Sequence, residues 1–127
     1  MWELSPSRHL IAIVDDEPNV LKGLQRLLNA GGFSTQAFRS GEELLQSSDV
    51  GDADCIILDI HLDGMSGIET RRALSARGSR TPVIFMTALD TATVRREALD
   101  SGCAAFLSKP FSGHDLIDAI RSATESL

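Results

Sequence analysis

Four places in the sequence carry side chains that could take part in metal or phosphoryl chemistry. Each follows a run of apolar residues, and the side chains are those of Asp15 with Asp16, of Asp59, of Thr87 and of Lys109. Carboxylate oxygens bind hard divalent cations, whereas a hydroxyl and an ammonium group can hold phosphate oxygens. Taken singly, each residue also has an ordinary explanation, such as a helix start that favours acids, a turn cap or a surface charge. The chemical interpretation therefore depends on whether the fold brings these side chains together.

The apolar runs predict five strands. Short continuous apolar stretches are typical of parallel strands that are covered on both faces. Such stretches occupy residues 10–14, 55–59, 82–86 and 104–107, and a more polar one occupies residues 33–38. Its polarity suits a strand at the edge of the sheet.

Amphipathic stretches alternate with these strands and predict five helices. The first begins near Pro18 and stops before a pair of glycines, and the fourth covers residues 91–101. A serine followed three residues later by an acid opens the other three, at positions 40, 66 and 112. Strands that alternate with helices require a parallel sheet with right-handed crossovers and helices on both faces. We therefore predict an α/β fold, a doubly wound (βα)5 sandwich with a five-stranded parallel sheet.

In a parallel sheet the carboxyl ends of the strands lie at one edge, so the polar residues that follow the strands should meet there. Three carboxylates in one crevice repel one another and call for a cation, and oxygen ligands favour Mg²⁺. Asp59, at the end of the strand that we expect in the middle of the sheet, is then the candidate nucleophile for phosphoryl transfer. Lys109 and the Thr87 hydroxyl would donate to the phosphoryl oxygens.

The composition bounds the classes of function. A length of 127 residues fits one domain, which we place at residues 9–127 after a lead-in at residues 1–8. The net charge of −6 and the lack of a basic cluster argue against direct binding of nucleic acid. The apolar runs are too short for a membrane span and the lead-in has no secretion signal, so we expect a soluble cytoplasmic protein with no membrane contact. Cys55 and Cys103 lack metal-ligand or CxxC spacing and are expected to be buried free thiols.

Four motifs in this order resemble the receiver domain of bacterial two-component response regulators. They are Val-Asp-Asp-Glu at 14–17, Leu-Asp at 58–59, Thr-Ala at 87–88 and Ser-Lys-Pro-Phe at 108–111. The resemblance covers residues 10–123, and Phe106 with the last motif is closest to receivers of the FixJ type. It implies a flavodoxin-like sheet of order 2-1-3-4-5 and a cis peptide bond between Lys109 and Pro110.

The resemblance also implies roles for the residues at the sheet edge. Asp59 is the implied acceptor of a phosphoryl group from a sensor histidine kinase or a phosphotransfer protein, with Mg²⁺ or Mn²⁺ as the cofactor. The implied metal ligands are Asp15, Asp16, Asp59 and the backbone carbonyl of His61. The implied phosphate-binding residues are Thr87, Ala88 and Lys109. Such a domain assists its own phosphorylation and dephosphorylation but is not an enzyme that acts on metabolites.

Within the family, Thr87 and the aromatic residue at position 106 form a switch. A phosphoryl group adds negative charge and acceptor oxygens, which can draw the Thr87 hydroxyl inward and leave space for Phe106. This movement remodels the surface of the fourth helix, fifth strand and fifth helix, which controls an output domain or a partner protein and can form a phosphorylation-dependent homodimer. Plain core packing is the alternative role for Phe106, because it lies in an apolar strand.

Two positions depart from the family pattern. Phe106 stands where many members carry tyrosine, so switching has to rest on packing rather than on a phenol hydrogen bond. Asp63 stands where a proline is common, which predicts a less rigid loop after Asp59.

Two other functions use similar residues. An aspartate-nucleophile phosphatase of the haloacid dehalogenase class also combines Asp, Thr, Lys and Mg²⁺. That class usually has a second acid two residues beyond its nucleophile, where this chain has His61, and a cap domain for which 127 residues leave no room. A receiver-like module that is never phosphorylated is the other alternative, and the intact set of carboxylates argues against it.

Overall fold

The computed structural model describes residues 9–48 and 50–125, and its strands form one five-stranded sheet. The strands are β1 (Leu10–Val14), β2 (Ser34–Phe38), β3 (Cys55–Asp59), β4 (Val83–Thr87) and β5 (Ala105–Ser108). All neighbouring strands are parallel, and their order is β2-β1-β3-β4-β5. The predicted doubly wound α/β fold and the order 2-1-3-4-5 are confirmed. The predicted lead-in at residues 1–8 lies outside the described residues.

Within the described part of the chain, five α-helices alternate with the strands. They are α1 (Pro18–Ala30), α2 (Gly41–Gln46), α3 (Gly67–Ala76), α4 (Ala92–Asp100) and α5 (Gly113–Thr124). A short 3-10 helix, Val50–Asp52, lies between α2 and β3. Among the described residues, the helices are too short or too polar to cross a bilayer.

The core lies on both faces of the sheet, because successive residues of a strand point to opposite faces. On one face, Ile57 of β3 belongs to the same buried cluster as Leu28 of α1 and Leu116 of α5. On the other face, Leu58 belongs to the cluster that contains Leu74 of α3. Every residue of β3 is buried, as its unbroken apolar run predicts. This central strand therefore holds Asp59 in a rigid position at its carboxyl end.

The structure shifts two strands by one residue relative to their apolar runs. β4 and β5 begin and end one position later than predicted, so that Thr87 and Ser108 lie in the sheet and pair with each other. Hydropathy does not mark these ends, because strand pairing uses backbone N–H and C=O groups rather than apolar side chains. Both residues thereby become part of the sheet edge that carries the candidate site.

Serine side chains cap three helices: Ser40 caps α2, Ser66 caps α3 and Ser112 caps α5. At α3 the capping box is complete, because the Glu69 carboxylate accepts the N–H of Ser66 at 2.9 Å. At α2 the acid three residues after the serine forms a different hydrogen bond. The Glu43 carboxylate accepts the N–H of Arg39 at 3.4 Å, because this side chain reaches one residue beyond the cap.

The two cysteines are free thiols, as predicted, but they differ in burial. Cys55 is fully buried in β3, and desolvation raises the pKa of its thiol to about 12. Cys103 is half-buried, so the prediction that both thiols are buried is wrong for this residue. It follows Gly102, whose φ of +84° turns the chain at the surface between α4 and β5.

We expect iodoacetamide at about pH 8 to modify Cys103 well before Cys55, because the thiolate is the reactive form and Cys55 is both enclosed and held as the thiol. Mass spectrometry of peptides from the labelled native protein measures both sites. The raised pKa of Cys55 also means that the unfolded chain loses this proton first. The folded state should therefore lose stability as the pH rises above about 9. Equal labelling of the two residues in the native protein would contradict the burial of β3.

Candidate functional site

Three side chains from different strands meet at the carboxyl edge of the sheet. Asp15 directly follows β1, Asp59 ends β3 and Lys109 directly follows β5. The Lys109 ammonium donates to Asp15 Oδ2 at 2.9 Å and to Asp59 Oδ2 at 3.1 Å. The side chains of the two aspartates are 1% and 9% exposed, and that of Lys109 is 23% exposed. The peptide bond between Lys109 and Pro110, at the same edge, is cis.

A third carboxylate belongs to the same cluster. Asp15, Asp16 and Asp59 each place one carboxylate oxygen so that the three oxygens lie within 4.8 Å of one another. Asp16 is half-buried, and its Oδ2 also accepts the N–H of Asp63 at 3.3 Å. The structure thus brings together the three acids that the sequence places at the carboxyl ends of β1 and β3.

The cluster is short of positive charge. Burial raises the pKa of the Asp59 carboxyl above its ordinary value, Lys109 opposes this rise, and the negative charge of Asp15 adds to it. Burial lowers the pKa of Lys109, but the hydrogen bond to Asp15 and the charges of both aspartates outweigh that effect, so that its pKa is raised. Lys109 therefore stays protonated, and it faces two buried carboxylates with Asp16 beside them.

These residues fit a hard divalent cation. The three clustered donors are carboxylate oxygens, the ligand type that Mg²⁺ prefers, and one lysine leaves part of their charge uncompensated. Asp15, Asp16 and Asp59 would hold the ion, and the ion would neutralise charge at the cluster and polarise an incoming phosphoryl oxygen.

The loop between β3 and α3 is fastened to the same carboxylates. The N–H of His61 donates to Asp59 Oδ1 at 3.1 Å, which keeps this backbone beside the carboxylate while the His61 side chain is exposed. The N–H of Asp63 donates to Asp16. A proline at position 63 would lack this N–H donor. Asp63, from which we predicted a less rigid loop, therefore provides one hydrogen bond that fastens the loop to Asp16.

Glu42 of α2 is a further anchor of this loop that sequence reasoning missed. Its Oε2 accepts the N–H of Met65 at 3.1 Å. The same oxygen lies 2.7 Å from the position that a Cβ of residue 64 would occupy, and Gly64 has a φ of +75°. The sequence offers one signal for this contact, the glycine, because local spacing does not reveal that α2 approaches the loop.

Gly67, the first residue of α3, packs against the backbone at the end of β3. A Cβ at this position would lie 2.3 Å from the carbonyl oxygen of Asp59 and 2.8 Å from the Cα of Ile60. We expect Gly67→Ala to lower the free energy of unfolding by about 2–3 kcal/mol, because backbone atoms cannot move aside as a flexible side chain can. Urea denaturation in the presence of a chelator measures the change.

Gly23→Ala is the matched control. Gly23 lies inside α1, where an added Cβ meets nothing within 4 Å, so this change should stabilise the protein by about 0.5–1 kcal/mol. If Gly67→Ala were also stabilising, the close approach of α3 to β3 would be refuted.

Thr87 lies at the edge of the cluster, but its hydroxyl is bonded within its own loop. Oγ1 accepts the N–H of Leu89 at 2.9 Å and donates to the carbonyl oxygen of Leu89 at 3.3 Å. The backbone N–H of Lys109 donates to the carbonyl oxygen of Thr87 at 2.7 Å, and Ala88 is exposed beside them. The structure thus places the backbones of the implied phosphate-binding residues next to one another. The single proton of the Thr87 hydroxyl is thus donated to the carbonyl oxygen of Leu89.

Phe106 of β5 is half-buried and lies beneath a cation. The guanidinium carbon of Arg95 lies 4.6 Å from the centre of the ring, a cation–π contact. Arg95 also forms an ion pair with Asp90 at 2.5 Å. Plain core packing therefore describes Phe106 incompletely. The contact joins α4 to β5, and sequence reasoning missed it.

Comparison with known proteins places the chain in one family. The model of the response regulator receiver domain matches residues 11–121. The transcriptional regulatory protein TdiR of Thauera aromatica is 34% identical over 113 residues, which are 89% of this chain and 50% of that protein. Nodulation protein W of Bradyrhizobium diazoefficiens is 32% identical over 119 residues, which are 94% of this chain and 52% of that protein.

A solved structure, that of FixJ-N, agrees with the fold. It is 32% identical, superposes with a TM-score of 0.86, and the match covers 96% of this chain and 98% of that one. The chain spans about half the length of the curated relatives that it matches. With the strand order, the carboxylate cluster and the family match over residues 11–121, the chain belongs to the response regulator receiver domain family.

Proposed function

We propose that this receiver domain is a phosphorylation-controlled switch that accepts a phosphoryl group on Asp59. The observation that carries the proposal is the environment of the Asp59 carboxylate. One oxygen accepts from the Lys109 ammonium and the other from the N–H of His61, and a carboxylate oxygen lies within 4.8 Å of those of Asp15 and Asp16. A nucleophile held by fixed donors beside a cation site is the arrangement that phosphoryl transfer requires.

In the proposed step, a carboxylate oxygen of Asp59 forms a bond to phosphorus and the bond between phosphorus and the donor breaks. With a phosphohistidine the leaving imidazole keeps the electron pair and takes a proton from solvent, and with an acyl phosphate the leaving group is a carboxylate. Hydrolysis reverses the state, because water attacks phosphorus and Asp59 leaves as a carboxylate. Lys109 offsets the negative charge throughout, and Thr87 would donate to a phosphoryl oxygen once its hydroxyl leaves Leu89.

We propose that the cation at this site is Mg²⁺ and that Mn²⁺ can substitute for it. Asp15, Asp16 and Asp59 support it, since they form the acidic cluster, and we assign the fourth protein ligand to the backbone carbonyl of His61. Ala88 joins Thr87 and Lys109 as a proposed phosphate contact, because its backbone follows the end of β4 at the same edge.

The readout in this proposal is a change at Thr87 and Phe106 that alters the surface of α4, β5 and α5. Support comes from the Thr87 hydroxyl, which is bonded within its own loop, and from Phe106, which is half-buried under α4. The phosphodonor would be a sensor histidine kinase or a phosphotransfer protein, and this domain would act in the cytoplasm. The altered surface would be recognised by an output domain, a partner protein or a second copy of the chain. Named relatives such as TdiR are transcriptional regulators, which favours an output domain.

Intact-mass spectrometry after incubation with acetyl phosphate and Mg²⁺ tests the proposal. We expect one phosphoryl adduct, which is absent when a chelator removes the cation. A chain that gains no adduct from acetyl phosphate or from a phosphorylated histidine protein would be an inert receiver-like module, and the proposal would fail.

A further inference from the structure

Four side chains connect the loop after β4 to α4 and β5, and we call them the Arg95 cluster. They are Asp90, Arg95, Phe106 and Ser108. Two guanidinium nitrogens of Arg95 donate to the two carboxylate oxygens of Asp90, at 2.5 and 3.3 Å. The Ser108 hydroxyl donates to the same carboxylate, and the guanidinium covers the Phe106 ring at 4.6 Å. Planar, two-point pairing of this kind fixes the orientation of an arginine more firmly than a single contact does.

The cluster lies between the two segments that carry the proposed phosphate contacts. Asp90 lies three residues after Thr87, and Ser108 directly precedes Lys109. One carboxylate therefore ties the loop of Thr87 to the end of β5. In this arrangement the Thr87 hydroxyl is bonded to Leu89, inside the segment between Thr87 and Asp90.

The helix that carries Arg95 has few other attachments. In α4, which lies wholly in the described part of the chain, Ala98 is the one buried residue, and Leu99 is 59% exposed. A helix with so little buried apolar surface depends more on side-chain contacts for its position. The hydrogen bonds from Arg95 and Ser108 also hold the pKa of Asp90 below its ordinary value, so this carboxylate remains charged at neutral pH.

We propose that the Arg95 cluster is a latch that holds the domain in its unphosphorylated conformation. The inference rests on the proposed function. A hydroxyl has one proton, so Thr87 can donate to a phosphoryl group on Asp59 only if its hydrogen bond to the Leu89 carbonyl breaks. We infer that the segment from Thr87 to Asp90 shifts when this bond breaks, and that the shift strains the contacts of Asp90. Phe106 likewise cannot turn inward while its ring stays under Arg95. The shift of the Thr87–Asp90 segment and the inward turn of Phe106 both break contacts of Arg95. Arg95 therefore disfavours the phosphorylated conformation.

Arg95→Ala and Arg96→Ala form a matched pair for the test. Both arginines are exposed on α4, and within residues 9–48 and 50–125 the Arg96 side chain forms no ion pair or hydrogen bond. The probe is beryllofluoride with Mg²⁺, a stand-in for the phosphoryl group, and its affinity is measured by calorimetry. We expect Arg95→Ala to bind it about fivefold more tightly than the parent, since a lost resting-state contact shifts the population toward the bound form. Arg96→Ala should match the parent.

A role in stability alone predicts a different result. Loss of a merely structural contact would lower the melting temperature of Arg95→Ala but would leave the affinity for beryllofluoride unchanged or weaker, and either affinity result overturns the latch. Arg95→Lys keeps the charge but lacks the planar fork, so its affinity should fall between those of the parent and Arg95→Ala.

Hydrogen exchange tests the latch without any phosphoryl analogue. The amide of Leu89 is bonded to Thr87 Oγ1, and we expect it to exchange at least about threefold faster in Arg95→Ala than in Arg96→Ala, because the loop opens more often. Unchanged exchange would refute the latch. If the parent does not bind beryllofluoride at all, the proposed function fails, and the exchange result still decides whether the latch exists.

Discussion

Lys109→Met is expected to lower the free energy of unfolding by about 2–3 kcal/mol in the absence of divalent cations. The substitution leaves two carboxylates that are 1% and 9% exposed without the ammonium that both of them contact. Removal of one partner from a buried ion pair costs more than the pair contributes, because an uncompensated charge stays behind. The Lys109 side chain is itself 23% exposed, so we place the loss below the roughly 3–5 kcal/mol that is typical of fully buried pairs.

Urea denaturation with a chelator and with Mg²⁺ measures this effect. We expect Mg²⁺ to stabilise Lys109→Met more than the parent, because the cation binds the folded cluster and replaces part of the missing charge. Lys22→Met is the control, since Lys22 is an exposed lysine of α1. The double variant Lys109→Met with Asp15→Asn should recover part of the stability. A Lys109→Met protein as stable as Lys22→Met would contradict the charge balance that we assign to the site.

Asp59→Asn is expected to reduce phosphoryl uptake from acetyl phosphate by more than about a hundredfold, because the amide is not a nucleophile. Intact-mass spectrometry measures the loss. The fold should survive, since the asparagine oxygen can still accept the N–H of His61. Asp63→Asn is the control, because Asp63 binds Asp16 through its backbone and its side chain is exposed. Uptake by Asp59→Asn at the rate of the parent would mean that another residue is the acceptor.

The same substitution should change the dependence of stability on pH. Burial raises the pKa of Asp59 in the folded protein, so in the absence of Mg²⁺ the folded state holds this proton more tightly than the unfolded chain. Its contribution is therefore fully present below about pH 4, the value for the unfolded chain, and is lost as the pH rises through the folded pKa. Asp59→Asn should remove this part of the pH profile, as urea denaturation at a series of pH values with a chelator can show.

The position of the candidate site could be predicted because it depends on features that are visible in the sequence. Apolar runs indicate where strands end, and parallel strands place those ends at one edge. The convergence of Asp15, Asp59 and Lys109 follows from these two facts, although the residues are far apart in the chain. The strand order 2-1-3-4-5 did not follow from the runs, and it was implied by the resemblance to receiver domains.

The contacts that surround the site could not be predicted, because they depend on how the helices lie against the sheet. Glu42 reaches the amide of Met65 from another helix, and Arg95 reaches both Asp90 and Phe106. Nothing in the local spacing of these residues distinguishes them from ordinary surface charges. The prediction that Cys103 is buried was wrong for a related reason, because an apolar residue next to a strand can still lie at a surface turn.

Membership of the receiver family also weighs against the phosphatase alternative, since the family that matches residues 11–121 is that of the response regulator receiver domain. The other alternative, a receiver-like module that is never phosphorylated, differs from the proposed switch only in the chemistry at Asp59. The acidic cluster favours the switch, because three converging carboxylates without a function for their charge would weaken the fold.

Localisation of the phosphoryl group tests the central claim most directly. The protein is phosphorylated with acetyl phosphate and Mg²⁺, reduced with borohydride so that an aspartyl phosphate becomes homoserine, and then digested and sequenced by mass spectrometry. We predict homoserine at position 59 and unmodified aspartate at positions 15, 16 and 63. Homoserine at one of those other positions, or a phosphoryl group that resists reduction because it lies on another residue type, would contradict the assignment of Asp59 as the phosphoacceptor.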